Sequence, residues 1–91
     1  MQKPKLLLYY KESCPYCQKV LNALDDMGKV VPLADIAANP KNRDTLIEIA
    51  GRKTVPCLMI DGVPMHESDD IIVWLTEHAD FLESDSPLKR L

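Results

Sequence analysis

The sequence predicts an α/β fold: a four-stranded mixed sheet flanked by helices, in the order β-α-β-α-β-β-α. Three features carry this expectation. Short apolar runs (Leu6 to Tyr10, Thr54 to Ile60) alternate with stretches whose apolar residues recur at helical spacing. Asn39-Pro40 and Gly51 bracket one such stretch as cap, first-turn proline and stop. Asp61-Gly62 sits between two extended runs, the strongest short signal for a hairpin.

Taken in order, Leu6-Leu7-Leu8-Tyr9-Tyr10 reads as a buried first strand. Cys17, Val20, Leu21, Leu24 and Met27 then give a first helix one apolar face, with Pro15 at its first position and Gly28 at its stop. Val30 to Ile36 is a second strand. Pro32 cannot donate to a ladder, so this strand lies at an edge or begins after the proline. With the helix between them, the first two strands form a parallel, right-handed crossover. Leu46, Ile47, Ile49 and Ala50 supply the buried side of the second helix. Thr54 to Ile60 is the third strand, and Val63-Pro64-Met65 returns as an edge strand. Ser68 is expected to cap the last helix, with Asp69 and Asp70 complementing its dipole and Ile71, Ile72, Trp74, Leu75 and His78 at helical spacing. Residues 79–82 extend that helix, and 83–91 form a loosely ordered polar tail. Trp74, Met59 and Met27 read as core.

Composition narrows the function. Ninety-one residues suit a single domain. A net charge of −3 is a poor match to phosphate neutralisation, so a nucleic-acid binder is not expected. No apolar run approaches a membrane span, and the N-terminal stretch lacks a signal-peptide core, so the expected location is the cytoplasm. Three cysteines make no disulfide framework. Cys14 and Cys17 have ligand spacing, but His66 and His78 do not complete a tetrahedral set, so no metal is expected.

What remains is Ser13-Cys14-Pro15-Tyr16-Cys17, a Cys-x-x-Cys pair between a strand and a helix, the pattern of a redox dithiol. At the helix N-terminus the Cys14 thiolate meets free amides and the positive end of the dipole, which lower a thiol pKa. Lowering the pKa raises the thiolate fraction while lowering intrinsic nucleophilicity, so the larger gain is in leaving-group ability. Cys14 is therefore tuned as attacker and leaving group together. Cys17, one helical turn on, is within reach as a resolving thiol and also fits the apolar helix face.

Cys-Pro-Tyr-Cys at 14–17, Thr54-Val55-Pro56 about forty residues later and Lys11 just upstream together resemble a glutaredoxin of the thioredoxin-like fold, over roughly Lys5 to Leu82. The resemblance implies a glutathione-dependent thiol–disulfide oxidoreductase that reduces protein–glutathione mixed disulfides and protein disulfides, with Cys14 as nucleophile, Cys17 as resolving thiol and glutathione as co-substrate. Glutathione and glutathionylated or disulfide-containing proteins are then the partners, and a monomer is expected. The implied glutathione residues are Lys11, Tyr16, Thr54, Val55, Pro56, Glu67, Ser68 and Asp69. Val55 would pair with the ligand backbone like an added strand, next to a cis peptide at Pro56. Lys11 meets a ligand carboxylate or is simply solvated. Tyr16 packs on the ligand or covers the motif. Ser68 and Asp69 offer amides, a hydroxyl and a carboxylate to the γ-glutamyl end.

One segment departs from the commoner family pattern: Met65-His66-Glu67-Ser68-Asp69-Asp70 replaces a Gly-Gly-x-x-Asp run and looks more like the N-terminal domain of a glutathione S-transferase. Two alternatives follow. A transferase-like domain would bring a helical second domain, which a chain of this length is not expected to hold. An iron–sulfur-binding module would use Cys14 and external glutathione, and the proline after Cys14 disfavours it. Cys57 follows the expected cis-proline. Either it packs as a small apolar residue at the start of a core strand, or it is a third oxidisable thiol.

Overall fold

A computed structural model describes residues 4–84. Its core lies on the two faces of one small sheet, where strand and helix side chains pack together. The strands are β1 (Leu6–Tyr10), β3 (Leu33–Asp35), β4 (Cys57–Ile60) and β5 (Val63–Met65), in the spatial order β3-β1-β4-β5. β1 runs parallel to β3 and antiparallel to β4, and β4 is antiparallel to β5. This is the four-stranded mixed sheet the sequence predicts. Three helices flank it: α1 (Pro15–Met27), α2 (Pro40–Ala50) and α3 (Ser68–Glu77).

The two-residue period of the strands sorts side chains between the layers. Leu8 and Leu58 face Val20 and Leu24 of α1 and Ile71 and Leu75 of α3, in one buried cluster. Their neighbours Tyr9, Cys57 and Met59 point the other way, toward Ala34 and Leu46. Met27 and Trp74 are half-buried against the first cluster. Among the described residues, no helix is long and apolar enough to cross a membrane.

Several boundaries follow from local chemistry. Asn39 caps α2 by accepting from the Lys41 amide at 3.1 Å, with Pro40 behind it. Asp61 (φ 52°) and Gly62 (φ 83°) both hold positive φ, the geometry that matches a tight hairpin to the strand twist. Gly28 ends α1 at φ 66°, its amide bonding back to the Asp25 carbonyl at 3.0 Å. A Cβ at this position would meet nothing within 4 Å, so the cost of a side chain there is backbone strain alone. Gly28→Ala is accordingly expected to lower unfolding free energy by about 1 kcal/mol in chemical denaturation, with no change in the m-value.

The structure corrects the sequence reading in several places. The expected second strand is split at Pro32: Lys29–Val30 (β2) pairs with Glu83–Ser84 (β6) in a separate two-stranded ribbon, and β3 begins after the proline at the sheet edge. The expected tail from 83 therefore starts with a paired strand, and 85–91 lie outside the described residues. The third strand starts at Cys57 rather than Thr54, because the chain turns at the cis Val55–Pro56 bond before joining the ladder. In α2 only Leu46 is fully buried, while Ile47 and Ile49 are exposed, since that helix meets the sheet along a narrow strip. Finally, α3 stops at Glu77. His78 stacks on Trp74 at 4.1 Å and donates from Nδ1 to its carbonyl at 2.8 Å, and a short 3₁₀ turn at Ala79–Phe81 then drops Leu82 into the core.

Candidate active site

The two cysteines lie on the first turn of α1 in different surroundings. Cys14 is the N-cap residue, with extended backbone (φ −90°, ψ 116°), and Pro15 opens the helix, where its missing N–H costs nothing. Its carbonyl accepts from Gln18 at 3.0 Å and its amide donates to Lys11 at 3.1 Å, so the backbone fixes the sulfur's position. Cys14 is partly exposed, whereas Cys17 is fully buried on the apolar face of α1.

This difference sets opposite acidities. Burial alone would raise the Cys14 pKa, but the Cys17 and Tyr16 amides, the Cys17 thiol and the positive charge of Lys11 prevail and hold it below the ordinary value. As a thiol, its Sγ points at the Val55 carbonyl oxygen, 3.8 Å away, rather than capping its own helix. Cys17 is pushed up to about 12, by burial first and then by its hydrogen bond to, and repulsion from, the Cys14 sulfur. Cys57 is also raised by burial and is wholly enclosed by the second core cluster. Its surroundings are those of a packing residue.

Beside Cys14 lies an open cleft of about 400 Å³. Tyr16, Thr54, Val55, Pro56, Glu67, Ser68 and Asp69 line it, together with Lys19. These are seven of the eight residues the resemblance nominates. The eighth, Lys11, stands on the other side of Val55, in a second pocket shared with Arg43 and Lys53. Val55 thus borders both. One cleft wall is the N-terminus of α3, where Ser68 is buried as the first helical residue. The cap is not the expected Ser68 but the residue before it: Glu67 holds the cap position at φ 73°, without a side-chain hydrogen bond. Aligned on Asp70, the commoner Gly-Gly-x-x-Asp pattern places a glycine at 67, which is the residue type this backbone conformation favours.

Sequence reasoning missed Lys19, Arg43 and Lys53. Lys19 looks like one of several solvated residues on the polar face of α1. Only the approach of α1 to α3 shows it pairing with Asp69. Arg43 and Lys53 are brought to Lys11 by the turn of α2 and the loop after it.

A cap-position thiol with lowered pKa, a buried partner thiol and a cis-proline loop facing them match one family in particular. The glutaredoxin family model aligns with residues 6–65. The chain belongs to the glutaredoxin family. It is 37% identical over 71 residues to glutaredoxin-C4 of Arabidopsis thaliana, an alignment covering 75% of this chain and 53% of that one. The chain thus spans about half the length of the plant relative. With glutaredoxin 3 of Escherichia coli K12 it shares 34% identity over 64 residues, covering 70% of this chain and 77% of the bacterial one. Its backbone superposes on a buckwheat glutaredoxin solved in complex with glutathione with a TM-score of 0.61, at 20% identity, over 86% of this chain and 73% of that one. The thioredoxin-like fold expected from the sequence is the fold of this glutaredoxin. Among its described residues, no three of His, Cys, Asp and Glu converge as a metal's ligand set.

Proposed function

We propose that this glutaredoxin reduces protein–glutathione mixed disulfides, and protein disulfides, at the expense of glutathione. The supporting observation is the setting of Cys14. Its activated sulfur sits against the Val55 backbone, between a cleft carrying an acid–base pair and a pocket of three cations. Glutathione has one end bearing both an ammonium and a carboxylate, and another ending in a single carboxylate. A peptide-like ligand paired with Val55 could present its central sulfur to Cys14 while its ends reach the two charged regions. The buckwheat relative's glutathione complex agrees with this reading.

In the proposed cycle the Cys14 thiolate attacks the glutathione sulfur of a mixed disulfide. The old S–S bond breaks and the target protein leaves as a thiolate that takes up a proton. A second glutathione, as thiolate, attacks the Cys14–glutathione disulfide, releasing glutathione disulfide and restoring the Cys14 thiolate. With a protein disulfide, Cys14 forms a mixed disulfide with the target. Cys17 then loses its proton and attacks the Cys14 sulfur, which frees the reduced target and leaves a Cys14–Cys17 disulfide for two glutathiones to reduce. The high Cys17 pKa suits this order. Two of its causes, the hydrogen bond to Cys14 and the repulsion from it, vanish once Cys14 is covalently capped, so Cys17 becomes easier to ionise when it is needed.

Regeneration by glutathione requires a reducing compartment, so the reading extends to the cytoplasm. Cys17→Ser is expected to leave reduction of a glutathionylated peptide within about twofold of the parent and to slow reduction of a protein disulfide by at least about tenfold. Coupled glutathione-reductase assays with the two substrates separate the roles. Equal losses on both would contradict the division of labour.

A further inference from the structure

Lys19 and Asp69 face each other across the cleft mouth, one from α1 and the other from the first turn of α3. Their side chains are 53% and 77% exposed. An ion pair so open to water contributes little to stability. The two helices are in any case held together by Val20 and Leu24 packing with Ile71 and Leu75. The pair is therefore not needed to dock α1 on α3, and its position calls for another explanation.

Both residues line the cleft bordered by Val55, at whose carbonyl the Cys14 sulfur points, and Lys19 is the one cation among its described lining residues. The amides of the first turn of α3 lie at the same place, without intrahelical acceptors. A ligand group carrying an ammonium and a carboxylate on one carbon is the charge complement of this arrangement. Its ammonium would take the Asp69 carboxylate, while its carboxylate would take the helix amides and the ammonium of Lys19. One protein–protein ion pair is exchanged for two protein–ligand ones, so binding leaves no charge unpaired. The pocket of Lys11, Arg43 and Lys53 has no such selectivity, since it suits any terminal carboxylate.

Resting on the glutathione reading above, we propose that Lys19 is a specificity residue: paired with Asp69, it selects thiols bearing a γ-glutamyl end over thiols that lack one. Lys19 touches no reacting atom and takes no part in the exchange itself. Its loss should raise KM while sparing kcat.

The test uses one peptide carried as two mixed disulfides, one with glutathione and one with cysteinylglycine, which lacks the γ-glutamyl group. For the parent protein, kcat/KM is expected to be higher on the glutathione form. Lys19→Gln should raise KM for that form about tenfold, equivalent to about 1.4 kcal/mol, with kcat within about twofold and the cysteinylglycine form unaffected. Lys19→Arg should restore most of the preference. If Lys19→Gln leaves KM for the glutathione form unchanged or lowers it, or raises KM equally for both substrates, the specificity role is overturned while the glutathione reading stands. A parent protein showing no preference between the two substrates overturns both.

Discussion

Replacing Cys14 with serine is expected to lower turnover of a glutathionylated peptide by at least about a thousandfold, with the fold unchanged by circular dichroism. The size follows from what the site does to a thiol. Cys14 is held below its ordinary pKa by the Cys17 and Tyr16 amides, the Cys17 thiol and Lys11, all of which act on an anion at the end of α1. A serine hydroxyl at this position stays neutral at any accessible pH, so these groups have no charge to stabilise. An alkoxide is also a poor leaving group in the reverse exchange, and each cycle requires Cys14 to leave as well as attack. Cys17 offers no substitute, being fully buried and raised to about 12. Turnover by Cys14→Ser within tenfold of the parent would show that another sulfur carries the reaction.

The site was more legible in the sequence than some of the elements that frame it. Cys14, Pro15 and Cys17 are adjacent in the chain, and their roles depend on one local event, the start of a helix. Thr54-Val55-Pro56 and Glu67-Ser68-Asp69 were recoverable because a resemblance ties them to that motif. Lys19 was not, since nothing in its helix distinguishes it from other solvated residues; its pairing with Asp69 is a contact between elements fifty residues apart. The same limit explains the misplaced strands. β2 and β6 are two residues each and owe their existence to one another rather than to any periodicity of their own. β4 starts later than its side chains suggest: Thr54 and Val55 are strand-like residue types, while their backbone is turned aside at Pro56 to face Cys14. Ile47 and Ile49 have apolar side chains at helical spacing, but a three-layer fold this small has too little sheet to cover them.

Under reducing conditions, the protein is expected to lose stability between about pH 9 and pH 12, and Cys17 should account for much of the loss. The ordinary thiol value is 9.0 and the folded value for Cys17 is about 12. A group whose pKa is raised on folding stabilises the native state fully below its unfolded value, and that contribution fades as pH rises toward the folded one. At pH 10.5 the unfolded chain ionises this thiol while the native state keeps it neutral, a difference of up to about 2 kcal/mol. Cys14 has the opposite sign. Its pKa is lowered on folding, so its contribution is present above the unfolded value and disappears as pH falls through the folded one. The two thiols together place their joint optimum near pH 9. Other groups titrate in the alkaline range, so the informative quantity is the difference from Cys17→Ala in urea denaturation. That difference should be constant from pH 7 to 8 and shift by up to about 2 kcal/mol in favour of the variant by pH 10.5. Repeating the comparison in a Cys14→Ser background separates the causes. Repulsion from the Cys14 thiolate is then gone while burial, the largest cause, remains, so the shift should shrink without vanishing. A shift that disappears altogether would mean that the Cys14 charge, not the apolar face of α1, keeps Cys17 protonated.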